Sequence, residues 1–164
     1  MDEKPVQLFA NARKGLRSQD GRIEYEDNEY IRNGTACIFL FTEPLGGWRY
    51  ADAQEHRTRT DWAMQIKWLL DEQYPDAHKV VLVMDNLNTH TVASLYQTFP
   101  PQEAFRLASR LEIHYTPKHG SWLDIAEIEL SALARQCIGK NRIPDLGTLR
   151  HLLRSWYVAR RSEE

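Results

Sequence analysis

Acidic residues stand at three places in this 164-residue chain where chemistry can be built. Asp85 follows the apolar run Val80-Val81-Leu82-Val83-Met84 and precedes Asn86 and, a few positions on, His90. Ligands of α/β sheets collect at the carboxyl ends of strands, where a carboxylate has apolar sheet behind it and an open crevice in front. The same position suits a turn aspartate that only caps the next helix. A second site is the segment Thr116-Pro117-Lys118-His119-Gly120-Ser121-Trp122-Leu123-Asp124-Ile125-Ala126-Glu127, a loop running into a helix. Asp124 and Glu127 share one face of its first turn, although the helix dipole favours acids there without any function. Glu129 lies on a different face and reads as solvated. Asp2-Glu3 precedes the first strand, where two acids are ordinarily just solvated. Taken together, acids on three separate elements can converge on two divalent cations, Mg²⁺ or Mn²⁺, which want oxygen ligands. Two such ions roughly 3.5–4 Å apart stabilise the attacking and leaving oxygens of an in-line phosphoryl transfer.

The elements that must position these acids are legible from pattern. Lys4 to Phe9 alternates weakly as a strand, and a basic loop through Arg17 and a polar connection from Ser18 to Asn33 follow. Thr35 to Thr42 is apolar and β-rich, a buried strand that forms a hairpin with Trp48–Ala53 across Pro44, Gly46 and Gly47. Thr58 and Asp61 form a capping box ahead of Trp62, Ile66, Leu69 and Leu70, and Tyr74-Pro75 ends that helix. Lys79–Met84 reads as a buried strand. A helical stretch broken at Phe99-Pro100-Pro101 runs through Leu107, and Leu111–Tyr115 is a short strand. Apolar residues 123, 126, 130, 133, 134 and 137 make a helical stripe, and Pro144-Asp145 caps a last helix carrying Leu146, Leu149, Leu152, Leu153 and Trp156. The order is strands first, then helix, strand, helix, strand, helix, helix, which makes one mixed α/β domain over 1–164.

Composition narrows the function classes. The chain is 42% hydrophobic with a formal charge of −2, which fits a globular domain and argues against a dedicated basic nucleic-acid module. The longest apolar run, Ala36–Phe41, is far short of the ~20 residues that span a bilayer, and Met1-Asp2-Glu3-Lys4-Pro5 lacks a signal-peptide core. Two cysteines, Cys37 and Cys137, without CxxC spacing suit a reducing cytosol. His114 and His119 are poor zinc candidates without nearby cysteines. Trp62 and Trp68 read as core or packing surface, and the Arg-rich stretch after Arg135 as the polar face of the last helix.

These segments resemble the catalytic domain of the IS630 group of DDE transposases, related to the Tc1/mariner elements. The likeness rests on Asp2-Glu3-Lys4-Pro5, Asn33-Gly34-Thr35 with Phe39-Leu40-Phe41, and Met84-Asp85-Asn86-Leu87-Asn88-Thr89-His90. Tyr115-Thr116-Pro117-Lys118-His119-Gly120-Ser121-Trp122-Leu123 through Glu127 and Arg135-Gln136-Cys137 complete it. The resemblance implies an RNase H-like fold, a mixed five-stranded sheet flanked by helices. It implies that Asp2, Asp85 and Glu127 are the catalytic, metal-holding acids, with two Mg²⁺ or Mn²⁺ ions. Asn86, His90, Lys118, His119 and Asp124 are implied as residues that shape the site or touch DNA; the family usually has Asn at the position of Asp124. The implied activity is divalent-metal-dependent DNA cleavage and strand transfer in the transposition of an insertion sequence, in a bacterial, nucleoid-associated cytoplasmic enzyme. The implied partners are DNA, meaning transposon ends and target, together with a second copy or an intact transposase, and no membrane. The chain reads as shortened at both ends, with no upstream helix-turn-helix. Two other readings therefore stand beside the first: a catalytically silent remnant that acts by binding protein, and a metal-dependent nuclease of the same fold.

Overall fold

In a computed structural model, residues 1–12, 16–17, 24–25, 29–117, 125–139 and 141–161 are described. Strand β1 (Asp2–Asn11) pairs antiparallel with β4 (Tyr30–Glu43), which pairs antiparallel with β5 (Trp48–Gln54). Between β1 and β4, the two-residue strands β2 (Leu16–Arg17) and β3 (Glu24–Tyr25) pair with each other. The connection read from Ser18 to Asn33 is shorter than expected, because Glu24–Tyr25 is strand and β4 already begins at Tyr30; 18–23 and 26–28 lie outside the described residues. Helix α1 (Arg59–Trp68) passes into a π-helical turn, Leu69–Gln73, and then come β6 (Val80–Met84), α2 (Val92–Thr98), α3 (Pro101–Ser109) and β7 (Leu111–Tyr115). Helix α4 (Ile125–Leu133) ends in a second π-helical turn, Ala134–Ile138, and α5 (Leu146–Arg161) closes the chain.

Strand β4 organises the core because six consecutive residues, Ala36 to Phe41, are buried on both faces. Cys37, Phe39 and Phe41 pack with Trp62, Ile66, Leu82, Met84, Leu95 and Leu107 on the side of α1, α2 and α3. Ala36, Ile38 and Leu40 pack with Ala126, Leu130, Leu133, Leu149 and Leu153 on the side of α4 and α5. Slipping the register by one residue would exchange the two sets, so the pairing is firmly specified. A β-bulge sets the far end: Gln7 pairs with Thr35 and Phe9 with Arg32, so Asn33 and Gly34 together oppose Leu8. Gly34 takes φ +93°, a backbone region open to glycine and strained for other residues. The bulge buries Leu8 among the α4–α5 residues, and Asn33 Nδ2 donates to Pro144 O at 2.9 Å.

Both anticipated caps form. Thr58 accepts from Asp61 N–H while Asp61 accepts from Thr58 N–H, and Asp145 accepts from Thr148 N–H at 2.7 Å ahead of α5. The expected five-stranded sheet is not one ladder. β6 and β7 pair in parallel with each other, β1, β4 and β5 form a separate sheet, and the Met1 ammonium donating to Val83 O at 2.6 Å links the two. A single bond is not a ladder, and the two sheets otherwise share a core in which Phe39 and Phe41 pack with Leu82 and Met84. Strand β6, read as fully buried, is covered on one face only: Leu82 and Met84 are buried, but Val81 is 60% and Val83 47% exposed. Those two valines border a cavity of about 390 Å³ whose walls include Met1, Trp48, Tyr74 and Ile125. The helix read from Leu123 to Ile138 is α4 plus the π-helical turn, with Ala126, Leu130, Leu133 and Cys137 buried as the stripe requires.

Trp62 is fully buried and Trp68 packs against the same core, stacked on Tyr50 with centroids 3.8 Å apart. Several C-terminal arginines are structural ties more than a free polar face. Arg150 donates to Ala53 O, and Arg160 lies over the Trp156 ring while donating to Gln136 Oε1.

Candidate active site

The site grows from the register of β1. Asp2 lies opposite Leu40, whose side chain belongs to the α4–α5 core, and Glu3 lies opposite Phe39, which belongs to the α1–α3 core. Successive strand residues point to opposite faces, so these adjacent acids serve different layers. Asp2 is on the side where α4 packs, and its Oδ1 accepts from Glu3 N–H at 2.7 Å. Glu127 is exposed in the first turn of α4, next to the buried Ala126.

Asp85 enters from the end of β6, directly after the fully buried Met84. Its side chain is 35% exposed, and its Oδ1 lies 2.6 Å from His90 Nδ1. That approach is poorly directed for a hydrogen bond and acts as an ion-pair contact; Oδ1 itself is buried. The other imidazole nitrogen, Nε2, lies 2.7 Å from Glu3 Oε1, and the Glu3 side chain is 1% exposed. A turn brings His90 back beneath Asp85, with His90 N–H donating to Leu87 O at 3.0 Å. Burial opposes charge on His90, but the two carboxylates outweigh it and raise the imidazolium pKa to about 9. The Cys37 thiol is pushed up to about 12 by burial first, then by the charge of Glu3, with a smaller part from Asp2.

The structure therefore joins Asp85 to Glu3 through His90, while Asp2 faces the layer of α4 and Glu127 is exposed on α4 itself. Among the described residues, no group of three or more His, Cys, Asp or Glu side chains is gathered to hold a metal ion. Asn86 is exposed beside Asp85. Lys118, His119 and Asp124, like Trp122 and Leu123, lie outside the described residues. Glu129, read as solvated, is instead paired: Arg49 Nε sits 3.0 Å from its Oε2, and the two side chains are only 12% and 13% exposed. Arg49 is on β5, eighty residues away, so no local pattern reveals the partner. His114 pairs with Glu112 at 2.8 Å on an open surface. Glu3, read with Asp2 as ordinarily solvated, is instead buried and paired with His90. Its signal was the strand period itself, which turns it away from Asp2 into the core, where a charge needs a partner.

The elements run as three antiparallel strands, helix, strand, helices, strand, helix, with an acid at the end of β6. A family model described as DDE superfamily endonuclease matches residues 1–150. The chain belongs to that family. No curated protein and no solved structure matches it. Membership implies the RNase H-like fold and makes this DDE endonuclease domain a nuclease of the transposase type, with DNA as its substrate. Among the described residues, no helix is long and apolar enough to cross a membrane.

Proposed function

We propose that residues 1–164 form the RNase H-like catalytic domain of an IS630-group transposase, which cuts and joins DNA strands using divalent cations. The observation that carries this reading is the placement of Asp85 at the carboxyl end of β6, beside the start of β1, with α4 packed against β1. Asp2, Asp85 and Glu127 are the residues that would hold the cations. They are all charged oxygen donors, the kind that Mg²⁺ and Mn²⁺ select. Asp85 fits in a further respect, because the atoms other than its buried Oδ1 carry the exposure of the side chain. When bound, such ions supply charge neutralisation around the phosphorus and bring the reacting oxygens into line. The protein contributes position: β1 brings Asp2, β6 brings Asp85 and α4 brings Glu127, each from a packed element that resists displacement. Asn86, exposed at the rim, and Lys118, His119 and Asp124, on the segment before α4, are proposed to meet the DNA backbone or shape the site.

Mn²⁺ binding, followed by electron paramagnetic resonance or calorimetry, tests this on the parent chain and on Asp2→Asn, Asp85→Asn and Glu127→Gln. Saturable binding that weakens in all three supports the assignment, and plasmid nicking and joining of labelled ends then separate cutting from strand transfer. No binding in the parent chain overturns it and favours a remnant that works through a protein partner, such as an intact transposase.

A further inference from the structure

His90 is fully buried, and separate parts of the fold hold each side of it. Its ring lies against Trp62 of α1, centroids 6.0 Å apart and planes 28° from parallel. Its carbonyl accepts from Tyr115 Oη of β7 at 2.8 Å, and its N–H donates to Leu87 O. Nε2 meets Glu3 of β1 and Nδ1 meets Asp85 beyond β6. The ring therefore cannot move independently of β1, α1 or β7.

We infer that His90, braced by Glu3, is the positioning residue for Asp85, holding the carboxylate by Oδ1 so that its other atoms face the open end of β6. The inference rests on the reading of Asp85 as a metal ligand given above.

Three observations carry it. First, Asp85 is the first residue after β6, so its carboxylate has free side-chain torsions unless one oxygen is fixed, and His90 is the group that meets that oxygen. Second, the arrangement is costly to keep. Glu3 is buried with Oε2 lacking a hydrogen-bond partner among the described residues, and a buried charge that only filled space would be better replaced by an apolar side chain. Third, β1 supplies both Asp2 and Glu3 on opposite faces. The strand that carries one acid therefore anchors the histidine that orients another, across a junction bridged by the Met1–Val83 bond. Groups that orient metal ligands from behind typically affect metal affinity by about 10–100-fold.

The test has two readouts on the full chain: the Asp85 χ1 rotamer from three-bond NMR couplings without metal, and the Mn²⁺ dissociation constant. The parent chain is expected to show one Asp85 rotamer. His90→Leu should show averaged rotamers and Mn²⁺ affinity weakened about 10–100-fold. His90→Asn, whose amide nitrogen stands near the position of Nδ1 but carries no charge, should fall between parent and His90→Leu in both readouts. Glu3→Gln should fall between parent and His90→Leu. A folded His90→Leu with the parental rotamer and affinity overturns the inference, as does a His90→Asn no better than His90→Leu. If His90→Leu does not fold, Glu3→Gln decides, and parental behaviour in both readouts overturns the inference. Averaged Asp85 rotamers in the parent overturn it whatever the metal does. A single parental rotamer that averages in the variants, without any Mn²⁺ binding, supports positioning by His90 and overturns the metal reading alone.

Discussion

Replacing Arg106 with methionine is expected to remove a pH-dependent part of the stability of the α1–α3 layer that backs β6. Arg106 makes a two-pronged contact with Asp71, Nη1 to Oδ1 at 2.7 Å and Nη2 to Oδ2 at 2.8 Å, and Nε donates to Glu103 Oε2 at 2.9 Å. Lys67 also pairs with both acids. The Arg106 guanidinium, helped by Lys67, lowers Asp71 to about 2 and Glu103 to about 2. A tenfold change in a carboxyl group's acidity corresponds to about 1.4 kcal/mol. Asp71 and Glu103 keep 24% and 28% of their side-chain surface and Arg106 keeps 41%, so water screens much of the attraction. About 1–2 kcal/mol for the whole network is the reasonable scale, above an isolated surface pair because the geometry is two-pronged and shared. The folded-state values lie below the unfolded ones, so this stability is fully present above about pH 5 and is lost as pH falls toward about 2. Urea unfolding of the parent and Arg106→Met at about pH 6 and about pH 3 measures it. The gap between the two proteins should be about 1–2 kcal/mol at the higher pH and clearly smaller at the lower, with unchanged m-values. An equal gap at both pH values would mean that Arg106 acts through packing of its stem, and the electrostatic reasoning would be wrong.

Three further outcomes follow from particular contacts. Asp85→Asn should cost roughly 1–3 kcal/mol in urea unfolding and lower the His90 pKa, because it removes a partner of a buried imidazolium; a stabilised variant would show that repulsion among carboxylates dominates instead. Gly34→Ala should destabilise by about 1–3 kcal/mol, since alanine is strained at φ +93° although no described residue lies within 4 Å of the added methyl; an unchanged melting temperature contradicts this. Cys37 should resist a thiol reagent at about pH 8 until denaturant is added, because only the thiolate reacts and burial pushes its pKa up to about 12.

Elements whose cause is local could be read from the chain. The apolar, β-rich run Thr35–Thr42, the capping box at Thr58 and Asp61, the Asp145 cap and the stripe through Ala126, Leu130, Leu133 and Cys137 each depend on neighbours a few residues away. The same holds for β6, which ends just before Asp85, so the candidate acid could be named from the sequence. What those elements meet is a tertiary matter. Whether β6 is covered on one face or two depends on which element reaches Val81 and Val83, and no property of the run Val80–Met84 encodes that. Glu129 and Arg49 are eighty residues apart, and Glu3 and His90 eighty-seven. Hydrophobic periodicity reports which side of a strand or helix turns inward. It is silent about which charge waits there, because the energy of a buried carboxylate is set by the partner that the fold delivers to it. Local pattern thus sufficed for the main strands, the helices and the acid at the end of β6, and only the folded chain brought His90 between Glu3 and Asp85.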